Sequence, residues 1–192
     1  MVWDASQVEI ADSKISEAAW LMGGLDIVVN NAGIFAQRSE WNKKTLLETN
    51  VNEWESVMKT NTSSIFFTMQ SAVKYMLDNG IKGNILNVTS VAGYEPVYGA
   101  YGASKTAAIG LTRGWGKVFA NDGITINGIA PGPVATEMNN WLEGDSMDHD
   151  RIPFGRFATI EEIASLAMYL LSKEAEMVCG ETIILDGAYA IR

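Results

Sequence analysis

The chain of 192 residues is 47% hydrophobic and 19% charged, enough to bury one core and form a single domain spanning residues 1–192. Its net charge of −9 argues against nucleic acid or an anionic membrane surface as a partner, since both attract clustered Lys and Arg. Cys179 is the only cysteine, which excludes an intrachain disulfide and a cysteine-based metal cluster and suits a reducing, cytoplasmic setting.

In chain order, the segment near 7–22 reads as a helix, and the carboxylates Asp4, Glu9, Asp12 and Glu17 exclude a secretory signal there. Residues 25–30 read as a strand that runs into Asn30-Asn31-Ala32-Gly33, where the missing side chain of Gly33 lets the backbone approach a ligand closely. A helix near 52–79 follows. The strand at 83–89 then leads into Ser90, so hydroxyls stand at its carboxyl end, where ligands of open α/β sheets gather. Next come a helix near 101–120, a strand at 124–129 and a turn at Pro131-Gly132-Pro133. His149, the sole histidine, lies among Glu143, Asp145, Asp148 and Asp150 and reads as a solvated loop residue, so no metal site is implied. A helix at 160–172 and a strand at 181–185 close the chain, and no stretch is long enough to span a bilayer. Strands alternating with helices predict a parallel sheet with crossover helices, an α/β fold. The two long helices carry more apolar positions, among them Phe66, Phe67, Met76, Leu111, Trp115 and Val118, than one sheet face requires. They have either a broad core stripe or a second buried face.

The chemistry concentrates in Tyr101-Gly-Ala-Ser-Lys105. On a helix, a spacing of four puts the phenol and the ammonium on one face. A free tyrosine titrates near about 10, so acting as an acid or base at neutrality requires a shift of roughly three units, or about 4 kcal/mol. One unit charge at about 4 Å in an effective dielectric of about 20 supplies that much. Burial would push the phenol the other way, so Lys105 is expected to hold it down. The spacing alone is weak evidence, and a solvated helix face explains most such pairs. Ser90 shortly upstream, placed to donate to a carbonyl oxygen, and Asn30-Asn31-Ala32-Gly33 make it specific.

With these residues in view, the chain resembles the classical short-chain dehydrogenase/reductases nearly end to end. Leu25-Asp-Ile-Val-Val-Asn-Asn-Ala-Gly33 is similar to that family's fourth strand and its turn. Trp54-Glu-Ser-Val-Met-Lys-Thr-Asn61 is similar to its asparagine-bearing helix. Gly123 to Met138 resembles its sixth strand and the loop over the nicotinamide, and Gly180-Glu-Thr-Ile-Ile-Leu-Asp-Gly187 its C-terminal strand. The resemblance implies a Rossmann-like doubly wound parallel sheet in three α/β/α layers. It implies hydride transfer between NAD or NADP and a small ketone or secondary alcohol, with a catalytic tetrad of Asn61, Ser90, Tyr101 and Lys105. Tyr101 would be the general acid or base. Lys105 would also bond the nicotinamide ribose, and Asn61 would hold a water linking Lys105 to solvent. Pro131 and Gly132 would shape the covering loop, with Val134 and Thr136 at the carboxamide and phosphates. Asn31, Ala32 and Gly33 would line the adenine-side ribose, and Asp4 would touch the adenine. A homodimer through the two long helices, or a homotetramer, is implied as well.

The same comparison makes Met1-Val-Trp-Asp4 the family's third strand, judged by the step from Asp4 to Asp26. No glycine precedes Gly23, so the Gly-rich phosphate turn and the first two strands are expected to be missing. An inactive fragment or pseudoenzyme that only pairs subunits is therefore the alternative. Two departures accompany this. The stretch through Gln37-Arg-Ser-Glu-Trp-Asn-Lys-Lys44 runs roughly six residues long, and the path from Ser90 to Tyr101 about two short.

Overall fold

The computed structural model describes residues 1–35 and 46–190, so the expected loop at 37–44 lies outside the described residues. Four strands, β1 (Ile27–Asn30), β2 (Asn84–Val88), β3 (Thr125–Pro131) and β4 (Thr182–Leu185), form one sheet in the order β1-β2-β3-β4. All three pairings are parallel, with Val29 opposite Leu86, Leu86 opposite Asn127 and Gly128 opposite Thr182. All four strands fall inside or within two residues of the segments expected from sequence.

Because successive side chains on a strand point to opposite faces, each central strand feeds two cores. On one face, Val28, Ile85 and Ile126 pack with α1 (Ala11–Met22), α3 (Ser64–Asp78) and α4 (Ala100–Phe119) through Ile15, Ala19, Met69, Met76 and Ala108. On the other face, Leu86, Ile129 and Ile183 meet α5 (Ile160–Leu170) through Ile163, Leu166, Ala167 and Leu170. The result is helix, sheet, helix in three layers.

Local chemistry sets the helix ends. Gly23, at φ 76°, caps α1 in the left-handed conformation that glycine tolerates best. The Thr159 hydroxyl accepts from Glu162 N–H while the Glu162 carboxylate accepts from Thr159 N–H, a reciprocal cap that starts α5. Arg156 grips the same carboxylate with two bonds of 2.7 and 3.0 Å and holds it well below the usual range, to about 2.

Two expectations change. The helix expected near 52–79 is broken: α2 (Val51–Met58) passes through a π turn, Lys59–Ser63, before α3 begins. Met1–Asp4 is not a strand. Val2 is 92% exposed, and the Asp4 carboxylate and carbonyl accept from Ser6 and Gln7 N–H instead. A strand needs a neighbouring ladder, and an Asp offers its backbone a competing turn. Cys179 is half-buried, its thiol beside the Gly116 and Ile124 carbonyls.

Candidate active site

The carboxyl ends of β1, β2 and β3 carry the candidate residues, and α4 crosses beside them. Its position is set by close packing and by buried polar bonds. A side chain at Gly93 would lie 2.9 Å from the Lys105 carbonyl carbon and 2.6 Å from Ile109, so α4 can dock on the turn after Ser90 only because residue 93 is glycine. Deeper in, Asn30 donates to Asn87 at 2.8 Å, and Asn87 donates to Thr112 of α4 at 2.9 Å. Both amides are buried, where an unpaired one is costly, so this chain of bonds admits few alternative registers.

Tyr101 and Lys105 share a face of α4, as their spacing requires, with Nζ 5.6 Å from the phenol ring centroid. Lys105 is buried and donates to the Val88 carbonyl at the end of β2, 3.0 Å away. Ser90 lies near enough to the Tyr101 phenol to act on its titration, so the shortened path between them still brings the two hydroxyls together. The expected direction of the phenol's acidity is reversed. Burial pushes Tyr101 above its ordinary value of 10, and the Ser90 hydroxyl only partly offsets this. Lys105 does not hold it down because its hydrogen bond goes to the Val88 carbonyl and its nitrogen lies against the ring. Desolvation acts on Lys105 itself, lowering it from 10.5 to about 8.

Asn61 occupies the π turn at 0% exposure. Its Oδ1 accepts from Ile34 N–H at 2.8 Å, and its Nδ2 donates to the Ile34 carbonyl at 2.9 Å and to Ser104 Oγ at 3.1 Å. The side chain thus clamps the loop after β1 onto the helix of Tyr101, where a water-holding role was expected. Ser104 in turn donates to the Tyr101 carbonyl at 2.7 Å. Neither Ile34 nor Ser104 is legible as a site residue from sequence. Ser104 lies inside the Tyr101–Lys105 segment, but only the fold brings it to a partner in another helix.

The remaining candidates divide. Gly33 sits over the lysine: a side chain there would come within 3.4 Å of Asn61 Oδ1 and 3.5 Å of Lys105 Nζ, so glycine keeps open a space bounded by both. Asn31 and Ala32 beside it are exposed. Pro131 ends β3, and Val134 pairs with Ala158 while its carbonyl accepts from Asn139 and Thr136. Gly132 has a packing reason for its identity, since a side chain there would lie 2.6 Å from Asp186. Asp4 is exposed, and its carboxylate is bonded to Ser6 N–H. No recorded contact among the described residues joins it to the cluster.

A parallel sheet layered between helices, with a polar cluster at its carboxyl edge, defines an α/β protein of the Rossmann-like class. The family model described as Enoyl-(Acyl carrier protein) reductase matches residues 1–190, and the chain belongs to the short-chain dehydrogenase/reductase family. It is 35% identical to a gluconate 5-dehydrogenase of Gluconobacter oxydans, over 99% of this chain and 74% of that enzyme. It is 34% identical to a 3-oxoacyl-(acyl-carrier-protein) reductase of Thermotoga maritima, over 99% and 75%. Among solved structures, acetoin dehydrogenase YohF from Salmonella typhimurium superposes with a TM-score of 0.86 at 30% identity, covering 98% of this chain and 74% of that one. ElxO with NADP bound gives 0.85 at 29%, covering 99% and 77%. The chain is thus an oxidoreductase by family. Among the described residues, no helix is long and apolar enough to cross a membrane.

Proposed function

We propose that the chain transfers hydride between NAD or NADP and a small ketone or secondary alcohol, with Tyr101 protonating or deprotonating the substrate oxygen. The observation that carries this reading is the juxtaposition of the Ser90 hydroxyl and the Tyr101 phenol at the end of β2, with Lys105 one helical turn behind the phenol. The nicotinamide cofactor supplies or accepts the hydride when bound. Its adenine-side ribose would be held by Asn31, Ala32 and Gly33, and its nicotinamide end and phosphates by Pro131, Gly132, Val134, Thr136 and Lys105. A side chain at Gly33 would stand 3.5 Å from Lys105 Nζ, so glycine leaves that approach to the lysine clear.

The roles follow from charge flow. As a carbonyl carbon gains hydride, its oxygen becomes alkoxide-like, and donors already aimed at that oxygen stabilise the transition state more than the ground state. Ser90 and Tyr101 supply two hydroxyl donors. Tyr101 gives up its proton to the oxygen, and the phenolate left behind is next to the Lys105 ammonium. Because burial has lowered Lys105 to about 8, that ammonium releases a proton near neutrality more readily than an ordinary lysine and can restore the phenol. Asn61 acts through the loop and helix that it pins.

Tyr101→Phe tests the assignment. Ketone reduction with NADH or NADPH is expected to fall by at least about 10²-fold while cofactor affinity, titrated by fluorescence, stays unchanged. Near wild-type turnover would remove Tyr101 from the mechanism.

Copies of the chain are proposed to pair through α3 and α4. Phe67 and Leu77 on α3 and Val118 on α4 are exposed, and Gln70, Val73, Lys74, Trp115 and Phe119 line a groove between the two helices. A two-fold dimer would bury this patch against itself. Sedimentation is expected to give a dimer or larger even assembly, and a monodisperse monomer at micromolar concentration would remove the pairing.

A further inference from the structure

Phe35 has no part in the roles assigned above, yet its ring meets that of Tyr101 edge to face, with centroids 4.8 Å apart and planes at 71°. The two residues belong to different elements, and both are tied to one buried amide. Ile34, directly before Phe35, is gripped at its N–H and its carbonyl by Asn61. Tyr101 is held at its carbonyl by Ser104, whose hydroxyl accepts the third Asn61 bond. Clamp, loop, aromatic contact and helix therefore close a circuit around the phenol. A tyrosine ring otherwise turns about two side-chain torsions, and an edge-to-face neighbour at this distance favours one setting. The Ser90 hydroxyl stands by the hydroxyl end, and Phe35 bears on the ring itself.

We propose that Phe35 is a positioning residue that holds the Tyr101 ring against Ser90 and screens it from water, so that the hydroxyl is aimed before a substrate arrives. The proposal rests on the reading of Tyr101 as proton donor. Phe35 is 37% exposed, so its removal costs little core packing and the variants should fold. Among the described residues around the phenol, the charged group is Lys105, with Nζ 5.6 Å from the ring centroid, and the neutral neighbours are the Ser90 hydroxyl and the Phe35 ring.

Three variants test it. Phe35→Ala is expected to lower kcat about tenfold, the size of a lost aromatic pair contact, with the Kd for NADPH within about twofold of wild type. The pH midpoint governed by Tyr101 should fall toward the ordinary tyrosine value, because burial is what raises it. Phe35→Tyr keeps the ring and should restore both readings, whereas Phe35→Leu keeps bulk without a ring and should not restore kcat. Wild-type kcat and pH midpoint in Phe35→Ala would overturn the proposal. A second readout needs no turnover. With 3-fluorotyrosine incorporated, the Tyr101 signal is assigned by its loss in Tyr101→Phe, and its titration midpoint is compared between wild type and Phe35→Ala. A lower midpoint in the variant supports the positioning role, and an unchanged one overturns it even if the chain reduces no ketone. Absence of reduction by the wild-type chain would count against the proposed reaction alone.

Discussion

β3 and β1 belong to the same sheet and face opposite conditions. Five consecutive residues of β3, from Ile126 to Ala130, are buried, so both of its faces are covered. β1 alternates: Val28 and Asn30 are buried, while Ile27 and Val29 on the other face are 47% and 48% exposed, and β2 is its only paired neighbour among the described residues. The site straddles this difference. Ser90, Tyr101 and Lys105, which handle the proton in the proposed mechanism, lie beside β2 and α4, where packing is closed on both sides. The loop Asn31–Phe35, proposed to meet cofactor and ring, follows β1 and depends for its position on the Asn61 clamp. Precision in one half of the site comes from a shared core, and in the other from a single side chain.

That comparison can be broken from either end. The largest stability effect is expected from Ile129→Ala on β3, about 4 kcal/mol in urea unfolding, because the cavity would open in a core that cannot collapse around it. A cost under about 1 kcal/mol would mean that the central sheet is less tightly packed than its burial indicates.

Next is the pH dependence contributed by Lys105. Its folded value of about 8 lies below the ordinary 10.5, so below pH 8 both folded and unfolded chains carry the proton and the folded state bears the desolvation cost. Between pH 8 and 10.5 the folded chain releases the proton first, so stability from this group rises with pH, by up to about 3 kcal/mol in all. Tyr101, raised by burial, works in the opposite direction above pH 10. Lys105→Met should abolish the rise measured between pH 8 and 10, be more stable than wild type at pH 7, and lose turnover. An identical slope in the variant would show that Lys105 is solvated.

A smaller effect, about 2 kcal/mol, is expected for Asn61→Ala, which removes three hydrogen bonds but leaves the Ile34 groups near solvent. Its diagnostic is location: hydrogen exchange should accelerate at Ile34 and Phe35 while β2 and β3 remain protected. Uniform acceleration would refute the idea that the clamp serves one half of the site. The smallest effect belongs to Val29→Thr, within about 0.5 kcal/mol, since its side chain is already half in water. The same substitution should reduce aggregation, because an exposed apolar edge strand invites pairing with other chains. A loss comparable with Ile129→Ala would mean that the outer face of β1 is covered in solution.

Parts of this architecture were legible in the sequence for physical reasons. The apolar runs at 83–89 and 124–129 could be read as strands because buried parallel strands need apolar residues on both faces. The shared face of Tyr101 and Lys105 follows from helix pitch. Other parts were out of reach. The π turn has no period of its own in Lys59-Thr-Asn-Thr-Ser63 and shows itself only in the Asn61 bonds to Ile34 and Ser104. Met1–Asp4 was assigned by its spacing to Asp26, but spacing cannot say whether a ladder partner stands beside a strand, and here the Asp4 turn prevails.

By itself, then, the sequence determined the alternation of strands and helices, the family, and which hydroxyls and ammonium could meet at the carboxyl edge. These rest on backbone periodicities that act over a few residues. Tertiary structure alone decided that burial raises the phenol's pKa above its ordinary value, that Lys105 bonds Val88, that Asn61 clamps Ile34 and that Phe35 meets Tyr101. Each of these depends on which groups exclude water from one another across long separations in the chain, and no local pattern carries that information.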